Sequence, residues 1–152
     1  MKKIAALFSL IILWAGSNPL SAQVKGKDTA LETLGMLSGM ALYNTYMTIG
    51  GIADAETEEI YSKDEVIGFM DEQVSMIEGL ETQFSDLLAS GFVTDPSDIE
   101  FIKEIKVCLG YLKEEAKGLQ DNMRTGDIDR YSENREKAWD KIAELLGIEG
   151  DE

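Results

Sequence analysis

Apolar residues recur along most of the chain in steps of three and four, the period of a helix with one buried side. Val66, Met70, Ile77, Leu80, Phe84 and Leu87 follow that step, with Gln73 standing where a further apolar residue is expected. Ile102, Ile105, Leu109, Leu112, Ala116, Leu119 and Met123 hold it over three heptads, the spacing of a packed helical seam. Between Ile128 and Leu146 one face carries Ile128, Tyr131, Ala138, Ile142 and Leu145, and Arg135 interrupts it. Glu133 and Lys137, four apart, support this last helix.

Ahead of these segments, Leu34 to Ala53 runs for twenty residues without a charge. Leu34, Met36, Leu37, Met40, Leu42, Met47, Ile49 and Ile52 fall around much of its circumference, the pattern of a helix enclosed by protein or lipid. Asn44, the hydroxyls of Ser38, Thr45 and Thr48, and four glycines leave the stretch only mildly apolar. It is therefore predicted as a buried helix enclosed by the other three rather than as a membrane span. Gly35 and Gly39, four apart, predict a shallow groove where a neighbouring backbone or a bulky side chain approaches closely.

Local signals divide the pattern into four helices. Asp28 or Thr29 is expected to cap the first, after a flexible leader over 23–27. Ser62-Lys63-Asp64-Glu65 is a capping box that starts the second, and Gly91 ends it. Asp95-Pro96-Ser97-Asp98 combines a capping acid with a proline in the first turn, so the third helix begins there. Arg124 to Asp127 is the next turn, with Asp127 capping the fourth helix. Short turns between long helices predict an all-α domain over 28–147, an up-down-up-down four-helix bundle, followed by a disordered acidic tail over 148–152.

The first 22 residues have a different character. Met1-Lys2-Lys3, the apolar run Ile4 to Ala15 and the small-residue junction Ser21-Ala22 form a secretory signal pattern, with cleavage expected after Ala22 and a cut after Ser17 as the alternative. The apolar run is too short to span a bilayer. Export to a periplasmic or extracellular location is the expectation, with no stable transmembrane segment in the mature chain.

Charge narrows the partners. Two of the 14 basic residues lie in the signal, leaving 12 against 29 acidic ones, a net charge of about −17. A protein of this sign repels nucleic acid and anionic membrane surfaces. Cys108 is the single cysteine, so no internal disulfide exists, and its place between Val107 and Leu109 predicts a small apolar core residue.

There is no histidine, which removes Ser-His and Cys-His nucleophilic pairs and histidine-held haem, di-iron and zinc sites. Asp127, Asp129 and Glu133 alternate as at the start of a calcium loop, but no glycine occupies the turn position and Arg130 intrudes. The acidic pairs Glu58-Glu59 and Glu114-Glu115 are expected on solvated faces. The methionines follow core spacing rather than a clustered thioether site. No cofactor and no metal is expected, and a carboxylate-only enzyme is the least favoured alternative.

What remains are polar residues set into apolar seams: Asn44 and Thr45, Gln73, and Arg135 with Tyr131 and Trp139. Tyr131, Arg135 and Trp139, spaced by four, share one face and line a potential cleft for a small anionic or amide ligand. The competing reading has Arg135 reach a carboxylate on an adjacent helix and fix register. Together with Gly35 and Gly39, these residues form the candidate groove of an exported, non-catalytic protein that binds a protein partner or a small ligand. The main alternative is an envelope protein whose first helix enters a membrane or an oligomeric core.

Overall fold

The computed structural model describes residues 19–148, so the expected signal segment up to Asn18 and the tail from 149 lie outside the described residues. The described chain is all-helical: α1 (Pro19–Thr57), α2 (Lys63–Ala89), α3 (Pro96–Thr125) and α4 (Asp129–Leu146), with no strand among the described residues. It divides into two compact units, one ending at Met36 and one beginning at Leu37. The packing below is that of the second unit.

The caps of α2 and α3 are where the sequence places them, whereas α4 starts after Ile128 with no side-chain cap, and Asp127, expected to cap it, accepts the Asp129 N–H at 3.1 Å from one position further out. Ser62 Oγ accepts the Glu65 N–H at 3.4 Å, while Glu65 Oε2 accepts the Ser62 backbone N–H at 2.9 Å, completing the capping box of α2. Asp95 Oδ1 accepts the Ser97 N–H at 2.8 Å, and Pro96 follows it in the first turn of α3. Gly126 and Gly147, with φ of 79° and 63°, end α3 and α4 in the left-handed conformation. Glu59 takes that conformation after α1, with φ 59°, although its Cβ makes it costly there.

The start of α1 differs from expectation. It begins at Pro19 rather than at Asp28 or Thr29, and the segment 23–27 is helical rather than a flexible leader. Pro19 suits a first helical turn, and Gln23, Lys25 and Lys27 are good helix formers that the single Gly26 does not offset.

A larger correction concerns which helix is central. α1 does not bury its whole circumference. Ser38, Gly39, Leu42, Ile49 and Gly50 are buried, whereas Leu37, Met40, Tyr43 and Met47 stand in solvent. The central helix is α3, which packs on both α2 and α4 and buries residues along two seams, Ile102, Ile105, Leu109, Leu112, Ala116, Leu119 and Met123 together with Cys108 and Glu115. The physical reason is volume. Long Ile and Leu side chains fill space on both sides of α3, while Gly, Ser and Ala on α1 offer little to enclose. Val93, in the loop between α2 and α3, adds a buried side chain that helical periodicity does not mark.

α2 and α3 run antiparallel, as do α3 and α4. Gln120 of α3 donates to the Ile67 carbonyl and to Asp71 Oδ1 of α2, while Lys106 further back on α3 donates to Ser85, further along α2. Between α3 and α4, Lys141 pairs with Glu104 at 2.6 Å and Arg130 with Glu114 at 2.8 Å, again in opposite order. Close approach at the second of these ends depends on Gly118, because a Cβ there would lie 3.0 Å from Tyr131 Cα and 3.1 Å from its nitrogen.

Gly118→Ala is therefore expected to lower stability by about 1–3 kcal/mol, since the neighbour is backbone and must move as a unit. Gly110, on the same helix, has nothing within 4 Å of a Cβ, so Gly110→Ala is expected to raise stability by about 0.5–1 kcal/mol through helix propensity. Urea unfolding of the two variants beside the parent measures both signs.

Candidate functional site

Periodicity places Arg135 on the inward face of α4, and α3 supplies what meets it. Glu115 is 0 % exposed, and its Oε1 accepts from Arg135 Nη1 at 2.6 Å. The expectation that Glu115 sits on a solvated face is thus corrected. It lies three residues after Leu112 and four before Leu119, on the same stripe as Cys108, so the winding of α3 turns it into the second seam. Glu114, one position back, faces Arg130 at the helix edge.

α1 completes the arrangement. The Arg135 guanidinium carbon lies 4.1 Å from the centroid of the Tyr46 ring, a cation–π contact, and Nη1 also donates to the Tyr46 carbonyl at 3.4 Å. Gly50 makes room for it: a Cβ at that position would stand 2.6 Å from the guanidinium carbon. One cation thus touches α3 through a carboxylate and α1 through a ring, a carbonyl and a bare backbone.

Electrostatics within the cluster follows from burial. Glu115 is pushed up to about 7 because burial outweighs the hydrogen bond and charge of Arg135, and its Oε2 has no hydrogen-bond donor. Tyr131 is pushed up to about 12, first by burial, against the lowering effect of Arg135. Burial also drives the Cys108 thiol up to about 11, which leaves it a poor nucleophile.

The expected site residues separate into two groups. Tyr131 and Arg135 lie with Glu115, Tyr46 and Gly50 in the buried cluster, and Trp139 lies beside them, its ring 5.3 Å from Tyr46 and 6.5 Å from Tyr43. Gly39 belongs to the same α1–α4 seam, where a Cβ would stand 2.7 Å from Leu146 Cδ2. Asn44, by contrast, is exposed rather than set into a seam, because the inward positions of α1 are Ser38, Leu42 and Ile49, which turns residue 44 to the opposite side. Thr45 and Gln73 are half-buried, and Gly35, in the first unit, is half-buried as well. The polar links between α2 and α3 run through Gln120, Lys106 and Lys113 rather than through Gln73.

The other side of α1 is the second notable surface. Leu37 and Met40 are each 57 % exposed and Met47 50 %, with Asn44 among them. No family model, no curated protein and no solved structure matches the chain. Among the described residues no helix is long and apolar enough to cross a membrane, and no group of three or more Cys, Asp or Glu side chains is placed to hold a metal ion.

Two outcomes test the cluster. Arg135→Met strands a buried carboxylate and is expected to cost about 3–5 kcal/mol at pH 8, less at pH 5 where Glu115 takes up a proton. Glu115→Gln tests the sign of the titration. With the folded-state value near 7, above the ordinary carboxylate range, the folded form binds more protons and the parent loses stability as pH rises through that window. The variant lacks this loss, so the difference in melting temperature is expected to shift in its favour between pH 4.5 and pH 7.

Proposed function

We propose that this chain is an exported, non-catalytic binding module, an up-down-up-down helical bundle that docks a protein partner on the outer face of α1. The observation that carries the reading is the exposed apolar face of Leu37, Met40 and Met47, within a stretch that bears no charge. Contiguous apolar surface of this kind is uncommon on a protein that acts alone. The antiparallel contacts of α1 with α4, α4 with α3 and α3 with α2 support the bundle topology. The signal pattern over residues 1–22 supports export to the periplasm or the outside of the cell.

A protein is favoured over a small ligand because Arg135, the natural charge partner for an anion, is engaged by Glu115 and Tyr46. The cluster of Tyr131, Arg135 and Trp139 then serves to hold α1 on α4, presenting its opposite face outward. Of the alternative in which the first helix leaves the bundle, the form in an oligomeric core fits this face better than membrane insertion.

The test is the double variant Met40→Glu, Met47→Glu in the full chain. Both positions are exposed, so its unfolding free energy is expected to stay within about 0.5 kcal/mol of the parent. Proteins that copurify with the parent, identified by mass spectrometry and titrated back as pure components, are expected to lose binding to the variant. An unchanged set with unchanged affinities refutes the docking role of this face.

A further inference from the structure

α3 is tied to α2 by Gln120, Lys106 and Lys113, and to α4 by Lys141 with Glu104 and Arg130 with Glu114, and none of these contacts passes through Glu115. α1, from Leu37 onward, meets α4 through Gly39, Tyr46 and Gly50 and turns Leu42 and Ile49 inward. The turn 58–62 is its covalent link to the other three helices, and Glu59 within that turn holds a left-handed φ of 59°. α1 can therefore lift about this turn while α2, α3 and α4 keep the contacts that join them.

A buried carboxyl lies beneath it. Arg135 Nη1 donates to Glu115 Oε1 at 2.6 Å and to the Tyr46 carbonyl at 3.4 Å, so a single nitrogen stands between that carboxyl and the backbone of α1. The Tyr46 ring covers the guanidinium at 4.1 Å, and Gly50 lets the α1 backbone close over it. With α1 in place Oε1 accepts from Arg135 and Oε2 has no donor at all, whereas a hydrated carboxylate has water on every lone pair. Lifting α1 takes the ring, the carbonyl and the Gly50 backbone away from the guanidinium, and water reaches both charges.

The surroundings leave Glu115 as the group that changes charge. α4 brings Tyr131 and Arg135 to it, α1 brings Tyr46, and on α3 the neighbouring Glu114 is turned to Arg130. Asp54 of α1 and Asp140 of α4 are exposed and act on Tyr131 and Tyr46. α2 meets α3 along Lys106, Lys113 and Gln120, and Glu115 is about 200° round the helix from Lys113. Burial pushes both tyrosine hydroxyls up from their ordinary value, and a guanidinium keeps its proton, so these stay as they are below neutrality. Glu115, pushed up to about 7 by burial, does not.

The sign follows from the proton count. Opening returns the carboxyl to water and to the ordinary carboxylate range, so the open form binds fewer protons than the closed one. Opening is suppressed while the carboxyl is protonated, becomes easier as pH rises from about 4.5 to about 7, and levels off above that. We propose that Glu115 and Arg135 form a pH-operated latch on α1: with Glu115 protonated the helix stays closed on α4, and with Glu115 ionised it opens more often about the turn 58–62 while α2, α3 and α4 remain packed. The latch acts whatever α1 binds, and it sets how often Leu42, Tyr46 and Ile49 meet water.

Amide hydrogen exchange of the full chain, read by mass spectrometry over a pH series and corrected for the intrinsic exchange rate, is the test. Protection over 42–50 in α1 is expected to fall at least about tenfold between pH 4.5 and pH 7 and to change little from pH 7 to pH 8, with protection over 66–77 in α2 above it throughout. Glu115→Gln keeps an acceptor for Arg135 but cannot ionise, and is expected to flatten the profile. Should that variant fold poorly, the Glu115 carboxyl carbon of the parent, followed by NMR, is expected to titrate through the window in which α1 loses protection. Corrected protection in α1 that does not vary with pH overturns the proposal. A fall shared equally by α1 and α2 overturns it too, because it marks unfolding of the whole bundle, as does a profile that survives in Glu115→Gln or a carboxyl that titrates outside the window.

Discussion

A carboxylate withdrawn from water needs a cation, and in this protein the geometry of three helices is organised by that need. Glu115 lies in the interior on α3, Arg135 reaches it from α4, and the guanidinium in turn rests on the ring of Tyr46 and the bare backbone of Gly50 on α1. Each participant constrains the next: α4 can slide along α3 only by separating the charges, and α1 can slide along α4 only by driving a side chain into the guanidinium. Replacing such a pair with well-packed apolar residues often leaves stability unchanged or improves it, while losing one member is costly. Its value here is register. The unpaired Oε2 of Glu115 and the elevated proton affinity of that carboxyl are the electrostatic consequence of the same burial.

The apolar core is built around a different helix from the one that composition singles out. α3 combines long aliphatic side chains with Ala116 and Gly118, so it fills space on two sides and still admits α4 at close range. α1 contributes Leu42 and Ile49 inward, but its glycines and hydroxyls supply closeness rather than volume. Absence of charge and presence in the core are therefore separate properties. In α1 the first holds across twenty residues, and the second for one face only.

Read together, the two features divide the labour between the faces of α1. The inner face is locked to α4 by Gly39 against Leu146, by Tyr43 and Tyr46 against Trp139 and by Arg135 against Gly50. The outer face is thereby held in a fixed orientation, displaying Leu37, Met40, Asn44 and Met47 to solvent. A rigid helix with an uncharged apolar side costs little conformational entropy on docking, which is the physical basis of the docking role proposed for it.

The helices α2, α3 and α4, the N-caps of α2 and α3 and the turns were legible in the sequence because they depend on interactions within a few residues: the Ser62–Glu65 box, Asp95 before Pro96, and glycines where the chain turns left-handed. The inward placing of Arg135 was legible too, from the face it interrupts. Glu115 was not singled out, because the sequence is crowded with acids and only the position of α4 distinguishes a buried one from a solvated one. A signal did exist, in its spacing from Leu112 and Leu119, but that stripe acquires meaning only when α3 is covered on two sides. The charge-free stretch of α1 was equally visible, and periodicity could not say which of its residues would face inward, since apolar groups occur all round it. Tertiary packing decided that, turning Leu42 and Ile49 toward the interior and Met40, Asn44 and Met47 toward solvent, because a helix can be pressed against its neighbours only on the sides they occupy.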